Sequence, residues 1–220
     1  MLTKPQHKEN IEFFQNILSQ FGDRSENLKK LYDSFGEYLY TAPASSIVYY
    51  HNAFPGGYVD HVIRVMKFSK ETYNLYEKLG LIVGDFSLEE LLFSALNHDL
   101  GKLGFPGEGN QGLLPQDSKW HKDTLGQLYK FNTDIPYATV PDKTLFLLQK
   151  FGIPYSLNEF YAMKLHDGLY EEANKTYYIS RAKESKLRTN IPFILHFADM
   201  MASRYEYEQV CAKDFKSFNI

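Results

Sequence analysis

The sequence predicts an all-α fold, a single-domain helical bundle, and three observations carry that prediction. Apolar residues recur at steps of three and four nearly throughout the 220 residues. Two S-x-x-E capping boxes, Ser87 with Glu90 and Ser156 with Glu159, mark helix starts. No convincing pair of alternating strands is present, so at most one short hairpin is expected, near Thr176 to Ser180.

The elements follow in order. Ile11, Phe14, Leu18 and Phe21 form one stripe, and Leu28, Leu31 or Tyr32, Phe35 and Leu39 a second. They predict two packing helices within residues 1–43, before the loop TAPASS. A third helix starts just after Pro55, Gly56 and Gly57 and runs to about Leu79, with Val62, Met66 and Tyr73 facing inward and Gly80 closing it. The apolar run Leu88 to Leu96 leads into His98 and Asp99. Gly104 to Gln116 reads as a long surface loop, after which Asp117 or Ser118 caps a helix bearing His121, Leu125 and Leu128. Asp142 opens a helix ending near Gly152, and the next delivers His166 and Asp167 to Gly168. The last long helix carries the stripe Ile191, Leu195, Ala198, Ala202 and Tyr205, with Asp199 beside it. Residues 211–220 read as a tail.

Composition narrows the function. With 44% hydrophobic residues the chain can bury one sizeable core. No apolar run approaches the roughly 20 residues of a membrane span, and the opening MLTKPQHKENIEFF lacks a secretory layout, so a cytoplasmic protein with no membrane partner is expected. A formal charge of −3 argues against coating nucleic acid by bulk electrostatics. Cys211 is the only cysteine, which excludes an internal disulfide, a Cys-rich zinc site and a CxxC pair. The chemistry must come from other residues.

Four of the seven histidines, His61, His98, His121 and His166, fall at predicted helix starts or ends, a placement suited to convergence on one cleft. Imidazole and carboxylate together suit Mn, Fe, Co, Ni, Zn or Mg. Adjacent His and Asp point about 100° apart on a regular helix, so both reach one ion only where the helix ends. His98-Asp99 before Leu100-Gly101 meets that condition, with Lys102 close enough in sequence to hold a phosphate oxygen.

The segments GGYVDHV, NHDLGK and ILHFADMMASR, around His61, around His98 and Asp99, and around Asp199, resemble the H…HD…D pattern of the HD superfamily of metal-dependent phosphohydrolases. The resemblance covers about residues 44 to 210 and implies an HD-domain helical core. It implies a first metal held by His61, His98, Asp99 and Asp199. Members with two metals add later histidines, and His121 in SKWHKD and His166 in KLHDG fall in that order; Asp167 stands where the commoner pattern has a second His. The layout is most similar to the HD domain of bacterial 3′-to-5′ exoribonucleases, without their separate nucleic-acid-binding domain. The implied activity is hydrolysis of a phosphate ester by activated water. Asp99 would orient the water or accept its proton, and Lys102 or Arg64 would stabilise the non-bridging oxygens.

Other signals have plainer readings. His196 sits in an apolar stretch and reads as a core histidine, and His7 and His51 read as structural or surface residues. Most of the 17 Phe and 17 Tyr read as core, whereas Trp120 beside His121 is a candidate to stack on a nucleobase. Arg181, Lys183, Lys186 and Arg188 read as a solvated run or a guide for a polyanion. The expected partner is a small nucleotide or a short oligonucleotide, with no protein partner. Alternatives are a 3′-to-5′ exonuclease, a cyclic or signalling-nucleotide phosphodiesterase, and a catalytically idle metal-binding sensor or interaction module.

Overall fold

Helix caps and left-handed glycines punctuate this chain. In a computed structural model that describes residues 2–210, they divide it into ten α-helices, four short 3-10 turns and one two-stranded sheet among the described residues. The tail 211–220, Cys211 included, lies outside the described residues. The chain is mostly helical, in keeping with an all-α bundle.

Helix α1 (Lys4–Leu18) begins at Thr3, whose hydroxyl accepts from Gln6 N–H while the Gln6 side chain returns to the Thr3 N–H. The second predicted stripe is split between α2 (Ser25–Asp33) and the single turn α3 (Tyr38–Thr41), because Gly36 between them adopts φ +58°. Leu28, Leu31, Tyr32 and Leu39 remain fully buried across the break. Helix α4 (Gly57–Lys78) starts where predicted: Gly56 takes φ +84°, and any Cβ on Gly57 would lie 2.1 Å from the Asn52 carbonyl oxygen.

Helices α5 (Leu88–Asn97) and α8 (Leu157–Leu165) are built alike. Each opens on a Ser with a reciprocal Glu three residues on, and each ends on a His, His98 and His166, followed by Asp. Their starts are tied together. Ser156 Oγ donates to Glu90, and the Arg24 guanidinium bridges Glu159 (2.6 Å) and Glu89 (3.0 Å) while lying 3.8 Å above the Phe93 ring.

The sheet departs from expectation. Strands β1 (Leu113–Pro115) and β2 (Tyr129–Phe131) pair antiparallel, Leu114 opposite Lys130, on either side of α6 (Lys119–Leu125), which Ser118 caps and Gly126 ends with φ +62°. No strand forms at Thr176 to Ser180; residues 176–179 lie in α9 (Lys175–Ile179) and Ser180 caps its end. Its aromatic run finds helix partners instead of a strand: the Tyr178 ring stands edge-on to Phe193 and its hydroxyl donates to Leu165 O. Helix α7 (Val140–Lys150) opens on Thr139 rather than Asp142, because the Thr139 hydroxyl accepts the Asp142 N–H.

Helix α10 (Ile191–Val210) buries Ile191, Leu195, Ala198 and Ala202 as predicted, but the stripe ends on Glu206, 2% exposed, while Tyr205 faces outward. One buried apolar cluster runs from Phe14 to Ala202, with α4, α5 and α8 packed around α10. Each fully buried Leu or Phe in it contributes roughly 1.5–3 kcal/mol by removal from water. Among the described residues, no helix is long and apolar enough to cross a membrane.

Candidate metal centre

Helix ends place the site. Helix α5 stops at Asn97, Asp99 leaves helical geometry with φ −102° and ψ 9°, and the following 3-10 turn turns its carboxylate toward the same point as His98. Gly101 permits that turn, since a Cβ there would stand 2.2 Å from Val140 O, and its N–H donates to Thr144 Oγ1. His61 comes from the first turns of α4 and Asp199 from the middle of α10.

Four side chains converge. His61 Nε2 lies 3.1 Å from Asp199 Oδ1 and 3.5 Å from Asp99 Oδ2; His98 Nε2 lies 3.9 Å and 3.4 Å from the same two oxygens. The ligand atoms of His61, His98 and Asp199 all fall within 4.8 Å of one another. Atoms about 2.1 Å from one ion stand roughly 3.0 Å apart along an octahedral edge and 3.4 Å along a tetrahedral one, so this spacing fits a shared cation. His61 Nε2, His98 Nε2 and Asp99 Oδ2 are buried and make no hydrogen bond, although Lys102 Nζ stands 2.6 Å from that oxygen. Buried polar atoms are rarely left so, and a group that coordinates them satisfies all three at once.

The imidazoles are oriented from behind. His98 Nδ1–H donates to Ala95 O and His166 Nδ1–H to Met163 O, both at 2.8 Å. A carbonyl only accepts, so the neutral ring carries its lone pair on Nε2, the atom aimed at the cluster. His61 Nδ1 faces the buried carboxylate of Glu206 at 3.1 Å, which also accepts from Arg64 Nη1.

Electrostatics follow from this crowding. Burial opposes ionisation of Asp99 and Asp199, but Lys102 and His98 hold the Asp99 carboxyl well below its usual range, and His61 does the same for Asp199. Burial would depress His61 and His166; Glu206 and the two aspartates push His61 well above its usual value, and Asp167 with Asp99 raises His166 to about 9. Lys102 is raised against its burial by Asp99 and Asp199. Protons and one ammonium thus neutralise the carboxylates where a divalent cation would.

His166 joins the group, its Nε2 3.5 Å from Asp99 Oδ1 and 3.6 Å from the half-exposed Asp167. His121 does not join it: it lies in the first turn of α6, where its Nδ1 bonds the capping Ser118 Oγ at 2.7 Å. Trp120 is exposed, stands edge-on to His121 and lines none of the clefts that open on the cluster. Arg64 is engaged behind the site, its Nη1 donating to Asp60 (2.8 Å) and Glu206 (2.5 Å), so it supports His61 rather than facing a phosphoryl group.

His51 and Glu206 are the residues that sequence reasoning missed. The His51 ring lies 4.7 Å from that of His61, its Nε2 3.4 Å from Lys102 Nζ, and it forms a second close group with His61 and Asp99. Burial and Lys102 push its pKa well below the usual value. Nothing in the local sequence YYHNAF marks it. Glu206 carries a signal, two helical turns after Asp199 on the same face. His196 is half-buried; its Nδ1–H donates to His166 O, and its ring lies where any Cβ on Gly168 would be, 2.4 Å away.

Three clefts meet at Lys102, of about 660, 630 and 410 Å³. No family model, curated protein or solved structure matches the chain.

Proposed function

We propose that this chain is a metal-dependent phosphohydrolase of the HD type, hydrolysing a phosphate ester of a nucleotide with activated water. The observation that carries the reading is the set of buried, unbonded ligand atoms, His61 Nε2, His98 Nε2 and Asp99 Oδ2, close to Asp199 Oδ1, with Asp99 and Asp199 lining an open cleft. His61, His98, Asp99 and Asp199 would hold the first ion, and His166 is placed to serve as a further ligand through Asp99. A divalent ion in such a site supplies Lewis acidity and lowers the pKa of water from 15.7 toward about 7.

The chain's own residues do the rest. Asp99, whose carboxyl Lys102 and His98 hold in the ionised form, would orient the attacking water as a hydrogen-bond acceptor. Lys102 lines all three clefts and remains cationic, so its ammonium can leave Asp99 for a non-bridging phosphoryl oxygen. Glu206 and the Ala95 carbonyl hold His61 and His98 with Nε2 toward the cluster, and the Met163 carbonyl holds His166 Nε2 toward Asp99. No residue need form a covalent intermediate.

The test is direct: measure the metal content of the purified protein, then assay release of phosphate or nucleoside from nucleotides and oligonucleotides with Mn, Co, Ni, Mg or chelator. Turnover that requires a metal supports the reading. Bound metal without turnover on any phosphate ester overturns it.

A further inference from the structure

We infer that the cavity at the start of α10 is a second ligand site, apart from the metal centre, and that it takes a small molecule carrying a phosphate-type dianion on an apolar group. The cavity measures about 510 Å³ and shares no lining residue with the three clefts that meet at Lys102.

The fold divides the basic run of the sequence. Lys183, Lys186 and Arg188 line the cavity, and Arg181 does not. Ser185 N–H and Lys186 N–H both donate to Ala182 O, at 3.1 and 2.8 Å, and Arg188 Nη2 donates to Lys183 O at 3.2 Å, so a closed turn gathers the three cations. No carboxylate lines the cavity, and among the described residues none of the three cations makes an ion pair. In a chain of formal charge −3 this is a local reversal of sign.

Further donors lie beside them. Thr189, 9% exposed, accepts the Ile191 N–H with its Oγ1, and its hydroxyl proton has no acceptor among the described residues. Asn190 stands where a helix cap belongs, yet its amide donates to Ile82 O at 2.7 Å instead. Ile194 N–H reaches Asn190 O, Pro192 has no N–H, and the Phe193 N–H has no partner among the described residues. Three cations, a free hydroxyl proton and an unpaired amide at the positive end of a 20-residue helix are what a phosphate-type oxyanion binds.

Apolar side chains of the same cavity choose the rest of the ligand. Ile82 is 72% exposed although Asn190 anchors its carbonyl, and Leu187 and Phe193 are only part-buried. The volume falls among pockets for organic molecules, roughly 300–1,000 Å³, and exceeds what an inorganic anion fills. Covering these side chains removes apolar surface from water, so the anion arrives on an apolar group.

The experiment titrates the isotopically labelled protein, as purified, with benzylphosphonate and methylphosphonate, whose C–P bonds phosphate-ester hydrolysis does not break, and follows the amides by NMR. The inference expects saturable one-to-one binding of benzylphosphonate with the largest shifts between Lys186 and Phe193, and methylphosphonate bound about tenfold more weakly at the same amides. Replacing both lysines, Lys183→Ser with Lys186→Ser, is expected to weaken each ligand about tenfold, while Ile82→Ser weakens benzylphosphonate alone, about threefold. Shifts that do not saturate, shifts confined to the surroundings of Lys102, equal affinity for the two phosphonates, or an affinity that the lysine pair does not move each overturn the site. No turnover is read, so such a failure leaves the phosphohydrolase reading standing, and the failure of that reading leaves this site.

Discussion

Glu206 and Asp199 hold the two nitrogens of one imidazole: Glu206 faces His61 Nδ1 and Asp199 faces His61 Nε2, each at 3.1 Å, from positions two turns apart on α10. One helix thus supplies both the ligand beside His61 and the group that orients it. Replacing Glu206 with Ala is expected to weaken metal binding about 10- to 100-fold, and Glu206→Gln less, because the amide keeps an acceptor. Calorimetric titration with Mn measures both. Loss of the carboxylate also leaves Arg64 with Asp60 alone, which should cost on the order of 3 kcal/mol in urea unfolding.

Lys102 sits on the very oxygen an ion needs. Lys102→Met removes the competing cation, so metal is expected to bind roughly tenfold tighter, while kcat falls about 100-fold or more for want of a charge on the phosphoryl oxygens. Metal affinity that rises while kcat falls is the signature. A loss of both metal affinity and kcat would show that Lys102 acts only in folding.

The metal-free protein should lose stability as pH rises. His166 is near 6.5 when unfolded and about 9 when folded, so its protonated form stabilises the fold fully below pH 6.5. That contribution, about 3 kcal/mol by linkage, disappears as pH rises through about 9, and the raised pKa of His61 adds to it. Metal binding must expel the same protons, so apparent affinity is expected to rise with pH over this window. Thermal melts with chelator and with Mn at pH 6.5 and 9 should therefore move in opposite directions.

Gly101 leaves no room for a side chain between Asp99 and Lys102. Gly101→Ala drives a Cβ into the Val140 carbonyl and is expected to cost about 2 kcal/mol as α7 is pushed off the 3-10 turn. Metal retention should fall with it, readable by elemental analysis of the variant.

His121 lies apart from the converging ligands and bonds Ser118. His121→Ala is expected to leave Mn affinity within twofold, whereas His166→Ala lowers it. A large loss in the first variant would place α6 at the metal after all.

How much of this was legible in the sequence depended on range. His61, His98, Asp99, His166 and Asp199 stand at helix ends or on one helix face, and capping boxes and glycines announce those ends locally; the structure brings these five together. His51 was illegible because it reaches the site from an irregular loop, held by contacts such as Ser45 Oγ to His51 O, for which no period exists. Arg64 was misplaced for a related reason: its spacing from His61 puts it near the site, but only the packing of α10 on α4 reveals that Glu206 engages it. The shift from Tyr205 to Glu206 is one residue, 100° of helix, and apolar patterning prefers the tyrosine. The strand pair escaped notice because its members are three residues long and separated by a helix.

The kinship between α5 and α8 constrains inheritance as well as geometry. Both rods are anchored at one end through Arg24, Glu90 and Ser156, and each delivers its terminal imidazole at the other. Deleting one residue from either would retract that ring by 1.5 Å and swing it through about 100°. Descendants that keep this cluster of side chains must keep both rods at their present count, ten and nine residues.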